Sequence, residues 1–345
     1  MAPNLSWLNT CKSSQLKAIA TAVGINSSGT KPILISVLLE HLRRPAFGKD
    51  GKRKGVTQEG HHLISIDMGI RNLAYCRMLV PHWTPAGNMR SGQIEYIGHP
   101  IVSEWTRLAI SNKRNGGEDL GDIKSKEAFD PATYSQYAYA LVTTLLGDQP
   151  ATRPTHILIE RQRFRSMGGS SVQEWTLRVN MFEAMIYAVL KTFSEQLGWN
   201  GTVHPIMPAK VSKFWLGDAQ GASEEGTRSK SAKTKTAKIN LVAAWLQATD
   251  RAQKRCDLKG QAAEMGNAYV RTRQGGNRFL AKQAKGDGVE KKTAVPAEIG
   301  KLDDLADCLL QGVAWIQWEK NRRLILSKGL QALDELESRE SIEIT

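Results

Sequence analysis

Apolar residues fall at helical spacing in two short runs near the start of the chain. Leu16, Ile19, Ala20 and Val23 share one face, which Gly24 ends. Leu34, Val37, Leu38 and Leu42 share another, with Pro32 suited to its first turn. A compact pair of helices over residues 5–42 is expected. Residues 47–62, FGKDGKRKGVTQEGHH, carry Gly and Lys without a period and read as a linker. From Leu63 onward the apolar spacing becomes that of strands: one over 63–68, a tight return through Gly69, a second near 72–80, and a third within GQIEYIGHPIV. These predict an antiparallel opening.

The next run, DPATYSQYAYALVTTLLGD, has Asp130 placed to cap and Pro131 in the first turn. Tyr134, Tyr137, Ala138, Leu141, Val142 and Leu145 form one face. THILIE follows as a short buried strand ending at Glu160. Strand, helix and parallel strand make a right-handed crossover unit. A long helix over 171–197, a short strand and helix start in TVHPIMPAKV, and a late amphipathic helix in LDDLADCLLQGVAWIQWEK complete the pattern. Residues 217–300 are rich in Gly, Ala, Ser, Lys and Arg, with basic clusters in TRSKSAKTKTAKI and RTRQGGNRFLAKQAK. Apart from a helical centre at INLVAAWLQ they read as a mobile insertion. The expected organisation is a helical module at 1–46, a linker at 47–62, and an α/β domain at 63–345, a mixed sheet flanked by helices.

Composition narrows the partners. The chain has 345 residues, 41% of them hydrophobic, which is enough for a proper core. A formal charge of +13 and a pI near 9.6 attract polyanions, of which nucleic acid is the commonest large one. Cys11, Cys76, Cys256 and Cys308 are scattered without a CxxC pair, so neither a disulfide framework nor a zinc site is expected, and a reducing compartment fits. No apolar run is long enough to span a bilayer, and no membrane partner is expected. The first 38 residues contain no acid, as a mitochondrial presequence would, but no arginine either; their pattern fits folded helices better.

Candidate chemistry lies in the acids. Side chains alternate along a strand, so Leu63, Ser65 and Asp67 share a face opposite Ile64 and Ile66, and both the first strand and HILIE end in a carboxylate. If these strands are parallel neighbours, Asp67 and Glu160 sit together at the carboxyl end of the sheet, where open α/β sheets place ligands. Two such carboxylates repel unless a cation intervenes. On the late helix, Asp304 and Asp307 are three residues apart and Asp303 and Asp307 four, so all three can point roughly the same way. Carboxylate oxygens suit Mg²⁺ or Mn²⁺. Two such ions about 4 Å apart can hold a phosphodiester while water attacks it. Singly, each acid has a bland role: Asp67 capping a turn, Glu160 pairing with Arg161 or Arg163, Asp303 and Asp304 favouring a helix N-terminus. Their joint appearance, two strand acids followed by helix acids, favours the metal site.

Around these acids stand candidate DNA contacts. RQRFRSMGGSS follows Glu160, so Arg161, Arg163 and Arg165 can meet phosphates, Phe164 can stack on an opened base step, and Gly168 and Gly169 permit close backbone approach. An ordinary solvated loop is the competing reading. Arg71 and Asn72 either brace the turn after Asp67 or reach DNA. Lys210, opening a helix after Pro208, is placed to approach a scissile phosphate or simply to face solvent. Lys31 ends the loop INSSGTK at a helix start, a place that suits phosphate oxygens.

The stretch LKAIATAVGINSSGTKPILISVLLEHL resembles the SAP motif, a helix, loop and helix that binds duplex DNA. ISIDMGIRNLAYC, ILIERQRFRS, GSSVQEWTLRVNMFEAM and KLDDLADCLLQG together resemble fungal mitochondrial Holliday junction resolvases, the cruciform-cutting endonucleases of the RuvC-like branch of the ribonuclease H-like fold. This resemblance implies a ribonuclease H-like domain and Mg²⁺-dependent (or Mn²⁺-dependent) cutting of four-way DNA junctions, with two ions per site. It also implies a homodimer, a mitochondrial location and no small-molecule cofactor. Its metal ligands fall on Asp67, Glu160, Asp304 and Asp307, with the choice between Asp303 and Asp304 open. The helix 171–197, with Trp175, Leu177, Val179, Met181, Phe182, Met185 and Ile186, is the candidate dimer interface, or else a fully buried core helix. Two other functions stand beside this one: a non-catalytic SAP-containing DNA-binding scaffold, and a ribonuclease H-like nuclease acting on another nucleic acid such as an RNA–DNA hybrid.

Overall fold

The computed structural model describes residues 4–43, 60–70, 72–81, 83–85, 94–96, 99–108, 110, 130–161, 174–217, 227–251, 253–274 and 301–336. Strand β1 (His61–Asp67) pairs antiparallel with β2 (Leu73–Val80), which pairs antiparallel with β5 (Ile101–Leu108). The strands β3 (Trp83–Pro85) and β4 (Ile94–Tyr96) form a separate two-stranded hairpin. On the other side of β1 lie β6 (His156–Glu160) and then β7 (Thr202–Ile206), both parallel to their neighbours. The sheet order is β7-β6-β1-β2-β5-β8, with β8 (Asp257–Leu258) added at the edge. Three sequential antiparallel strands extended beyond the first by two parallel ones is the ribonuclease H-like arrangement.

Helices cover both faces. Ile64 and Ile66 point into a core built with α3 (Pro131–Leu146) and α4 (Glu174–Gln196). Asp130 caps α3 as its sequence predicts, accepting from the Ala132 and Thr133 amides. Leu63 points the other way, into a core shared with α5 (Pro208–Leu216), α6 (Thr227–Gln247), α7 (Gln261–Arg273) and the long α8 (Leu302–Lys328). The N-terminal pair, α1 (Ser13–Ala22) and α2 (Lys31–Arg43), packs Leu16, Ile19, Leu34, Leu38 and Leu42 against Ile325 near the end of α8. Val37 falls outside this core, 38% exposed.

Three expectations need correction. The linker reading of 47–62 fails at its end, because His61 and His62 already belong to β1, paired with Val80 and Leu79; two histidines masked an apolar register. The third sheet strand, expected within GQIEYIGHPIV, is Ile101–Leu108 and shares only Ile101 and Val102 with that stretch, whose Ile94–Tyr96 part belongs to the hairpin. The basic insertion is not simply mobile. Within 217–300, Val242, Ala243, Trp245, Ala262 and Tyr269 are buried in the main core, and Trp105 lies 5.2 Å from Tyr269 between ring centroids. Lys and Ala in the first half of α6 hid a helix whose apolar residues begin only at Ile239.

Candidate active site

The register of β1 on β6 runs to Ile66↔Ile159, so Asp67 and Glu160 come next in line at the carboxyl ends of adjacent parallel strands. Their carboxyls lie within hydrogen-bonding reach of each other. Burial is the main reason that Asp67 sits well above the usual carboxylate range, with the charges of Glu160 and Asp307 adding to it. Burial also raises Glu160, while the hydrogen bond with Asp67 offsets part of that rise. Gly69 makes the turn beyond Asp67 tight: a Cβ there would lie 2.9 Å from the Asn72 carbonyl oxygen. Asn72 Oδ1 in turn accepts from Arg107 Nη1 at 3.2 Å, which braces the turn from β5.

The first turns of α8 bring the helix acids to the same place. Apolar residues Leu305, Leu309 and Leu310 anchor them, and hydrogen bonds to the helix backbone hold them. Trp105 Nε1 donates to the Leu305 carbonyl at 3.0 Å, the Cys76 thiol to that of Cys308 at 3.4 Å, and Trp215 Nε1 to that of Leu310 at 3.0 Å. Asp307 is raised by burial, against the pull of Lys238, whose Nζ lies 2.8 Å from Asp307 Oδ1. Asp304 is raised to about 6 by burial and by the charge of Asp303, with Lys301 and Arg107 opposing. Asp304 Oδ2 is buried without a hydrogen-bond partner among the described residues. Asp303 faces Lys235 instead, with Nζ and Oδ2 2.6 Å apart.

All five sequence-predicted acids therefore gather around the ends of β1, β6 and α8. Among the described residues no three His, Cys, Asp or Glu groups are already spaced to hold a metal ion. The acids are paired otherwise: Asp67 with Glu160, and Asp307 and Asp303 with α6 lysines. The donor set nonetheless suits a hard divalent cation, being all carboxylate oxygens, one of them buried without a hydrogen-bond partner among the described residues. Lys235, Lys238 and Arg107 were missed by sequence reasoning. The single available signal was the i, i+3 spacing of the two lysines just before the apolar run of α6.

The expected DNA contacts are placed less uniformly. Arg71, Arg163, Phe164, Arg165, Gly168 and Gly169 lie outside the described residues. Arg161 is exposed; its amide donates to the Ile206 carbonyl at 2.8 Å and its charge acts on Tyr187 of α4. Lys31 opens α2 at the surface, and its charge acts on Cys11. Lys210 is half-buried at the start of α5, within electrostatic reach of His41. The cations acting on the acids are instead Lys235, Lys238, Lys301 and Arg107. On α4, Val179, Phe182 and Ile186 are committed to the core, so neither a wide interface nor a fully buried helix describes it; Trp175 and Leu177 remain exposed, at 45% and 49%.

Two strand acids and the helix acids thus converge at one end of a sheet with the ribonuclease H-like order of strands. The family model described as mitochondrial resolvase Ydc2 / RNA splicing MRS1 matches residues 63–325, and the chain belongs to that family. The chain is 30% identical over 180 residues to the mitochondrial cruciform cutting endonuclease 1 of Schizosaccharomyces pombe, covering 52% of this chain and 55% of that protein. It is 21% identical over 328 residues to the Saccharomyces cerevisiae protein of the same name, covering 92% of this chain and 84% of that protein. The crystal structure of the yeast mitochondrial Holliday junction resolvase Ydc2 aligns over 96% of this chain and 99% of that one, at 21% identity and a TM-score of 0.48. RuvC of Thermus thermophilus aligns over 75% of this chain and 95% of that one, at 10% identity and a TM-score of 0.30.

Proposed function

We propose that this chain is a Holliday junction resolvase, an endonuclease that hydrolyses phosphodiesters in four-way DNA junctions and works in mitochondria. The observation that carries the reading is the placement of Asp67 and Glu160 at adjoining parallel strand ends, with Asp307 close enough for its charge to act on both. A buried group of acids held together in this way is poised for a cation. Asp67, Glu160, Asp304 and Asp307 are the ligands we assign. Asp304 takes precedence over Asp303 because Asp303 is engaged by Lys235, whereas Asp304 keeps a buried oxygen without a hydrogen-bond partner among the described residues.

Two Mg²⁺ or Mn²⁺ ions in this site would activate water and stabilise the leaving oxygen of the scissile phosphodiester. Asp67, whose pKa burial raises, must be ionised to act as a ligand, and a nearby divalent charge would favour that ionised form. Lys238 and Lys235 keep positive charge at the rim, where the phosphates of a bound strand arrive. Lys31, Arg71, Arg161, Arg163, Phe164, Arg165, Gly168, Gly169 and Lys210 are the remaining proposed DNA contacts, with Lys210 serving a region near α2 rather than the scissile phosphate. Paired cuts require two sites, and a two-fold protein matches the two-fold symmetry of a junction. We therefore propose a homodimer, with exposed Trp175 and Leu177 at the start of α4 in its contact.

The test is a strand-labelled synthetic four-way junction, beside a linear duplex of the same sequence, an RNA–DNA hybrid and a structured RNA, with Asp67→Asn as the control. Paired symmetric nicks only in the junction, absent in the control, are expected. Junction binding without cutting by the natural sequence would favour the scaffold reading. Preferential cutting of the hybrid would favour another ribonuclease H-like activity, and selective RNA binding without cutting would align the chain with the splicing branch of its family description.

A further inference from the structure

Gln311 is one of several buried polar side chains outside the acid cluster. It is 3% exposed on α8, one helical turn after Asp307, in a stretch otherwise built of apolar side chains. Its Nε2 donates to Ser65 Oγ at 3.0 Å and to the Ile66 carbonyl at 3.1 Å. Ser65 is wholly buried and precedes Asp67 on the same face of β1; the Ile66 carbonyl belongs to the peptide group that leads directly into Asp67. A single side chain thus ties the peptide before one acid to the helical turn after the other.

We propose that Gln311 is a positioning residue that fixes the separation of Asp67 and Asp307, and through them the metal affinity of the site. The inference rests on the reading of these acids as a metal-binding nuclease centre. Apolar packing alone holds a helix on a sheet but leaves sliding along its axis inexpensive, because hydrophobic contact is non-directional. A buried amide is different. Leaving its N–H groups without partners is costly, so the arrangement that satisfies both acceptors is strongly preferred over a shifted one. The adjacent Gly312 allows the close approach this demands: a Cβ there would lie 2.6 Å from Met78 Cε and 3.2 Å from Ser65 Cβ. The hydrogen bonds from Trp105, Cys76 and Trp215 to carbonyls of α8 restrain the same turns, but none of them reaches the strand that bears Asp67.

The experiment measures Mn²⁺ binding by calorimetry, junction cutting at saturating substrate, and metal-free melting for the full chain and for Gln311→Met, which keeps length and apolar volume but removes the donor. Outer-shell partners of metal ligands are worth about 10–100-fold in affinity or activity. A loss in that range in Mn²⁺ affinity and in kcat is expected, with junction Kd in the absence of metal within about twofold of the natural sequence. Ser65→Ala, which leaves the Ile66 carbonyl as acceptor, is expected to lose less in the same direction. It decides the matter if Gln311→Met does not fold. Lowered melting with unchanged Mn²⁺ affinity and kcat, in whichever variant folds, would make Gln311 a structural residue and overturn the proposal. If the natural sequence neither binds Mn²⁺ nor cuts the junction, the nuclease reading itself falls, a separate outcome.

Discussion

The two ends of α8 hold buried carboxylates in opposite ways. At its start, Asp304 and Asp307 sit with raised pKa values beside two more acids, and the cations that reach them are single lysine ammoniums and Arg107. About 18 Å further along, at 1.5 Å per residue, Glu319 is almost wholly buried yet fully compensated. Arg322 donates to both of its oxygens at 2.7 Å, and Arg323 adds a bond at 2.9 Å. Arg322 and Asn321 then reach the last turns of the N-terminal helices, donating to the Leu42 and Ala22 carbonyls at 3.1 and 2.8 Å. Guanidinium forks suit permanent ion pairs because their donors are fixed in plane, whereas an ammonium is a point charge that can change partners. The paired end fastens α1 and α2 to the domain, and the under-compensated end is left ready for a cation.

Several substitutions can break or sharpen this contrast. The largest effect belongs to Asp67→Asn: loss of a metal ligand should exceed the cost of losing an outer-shell partner, so junction cutting falls by more than about a hundredfold, as single-turnover assays would register. Glu319→Ala comes next. It leaves buried Arg322 without its carboxylate and should cost about 3–5 kcal/mol of stability, seen as a lower denaturant midpoint, and magnesium should not restore it. Lys238→Met is milder. Removing a charged hydrogen bond to Asp307 should cost about 1–2 kcal/mol in the metal-free protein, and here Mg²⁺ should recover the loss because it takes over the neutralising role.

The smallest expected effect is on pH. Folding raises the acids at the start of α8 and on β1 and β6, so from about pH 4 upward the folded, metal-free protein holds more protons than the unfolded chain. Stability from this cluster is therefore greatest below that point. It is lost as pH climbs through the folded value of Asp304, about 6, and through the raised value of Asp67. Melting temperatures measured without metal should fall between pH 5 and pH 8 by the order of a few degrees. Added Mg²⁺ should close most of that gap, and Asp67→Asn should flatten it.

The same contrast explains what the sequence could reveal. Asp67 and Glu160 were legible because alternation assigns faces within a strand and a crossover helix makes the two strands parallel neighbours. The i, i+3 pair on α8 was legible for the analogous helical reason. Asp303 and Asp304 could not be separated, since the distinction depends on Lys235, which is 68 residues away along the chain. Lys235 and Lys238 lie in a Lys, Ala and Ser stretch whose polar pattern has no apolar period, so only tertiary contact makes it a helix packed beside α8. Gln311 escaped notice because a glutamine in an amphipathic helix ordinarily faces water; its value depends on Ser65 being opposite it. The fixed seating of the N-terminal helices was equally hidden, as it uses backbone carbonyls that any sequence would supply.

One measurement tests the division of α8 most directly. Mg²⁺-dependent junction cutting and metal-free melting are compared for Asp307→Asn and Glu319→Gln, at a temperature below both transitions. Asp307→Asn should lose cutting while melting no lower than the natural sequence at pH 8, and Glu319→Gln should melt lower while cutting at a near-normal rate per folded molecule. The reverse pattern, with cutting retained in Asp307→Asn and abolished in folded Glu319→Gln, would place the chemistry at the other end of the helix.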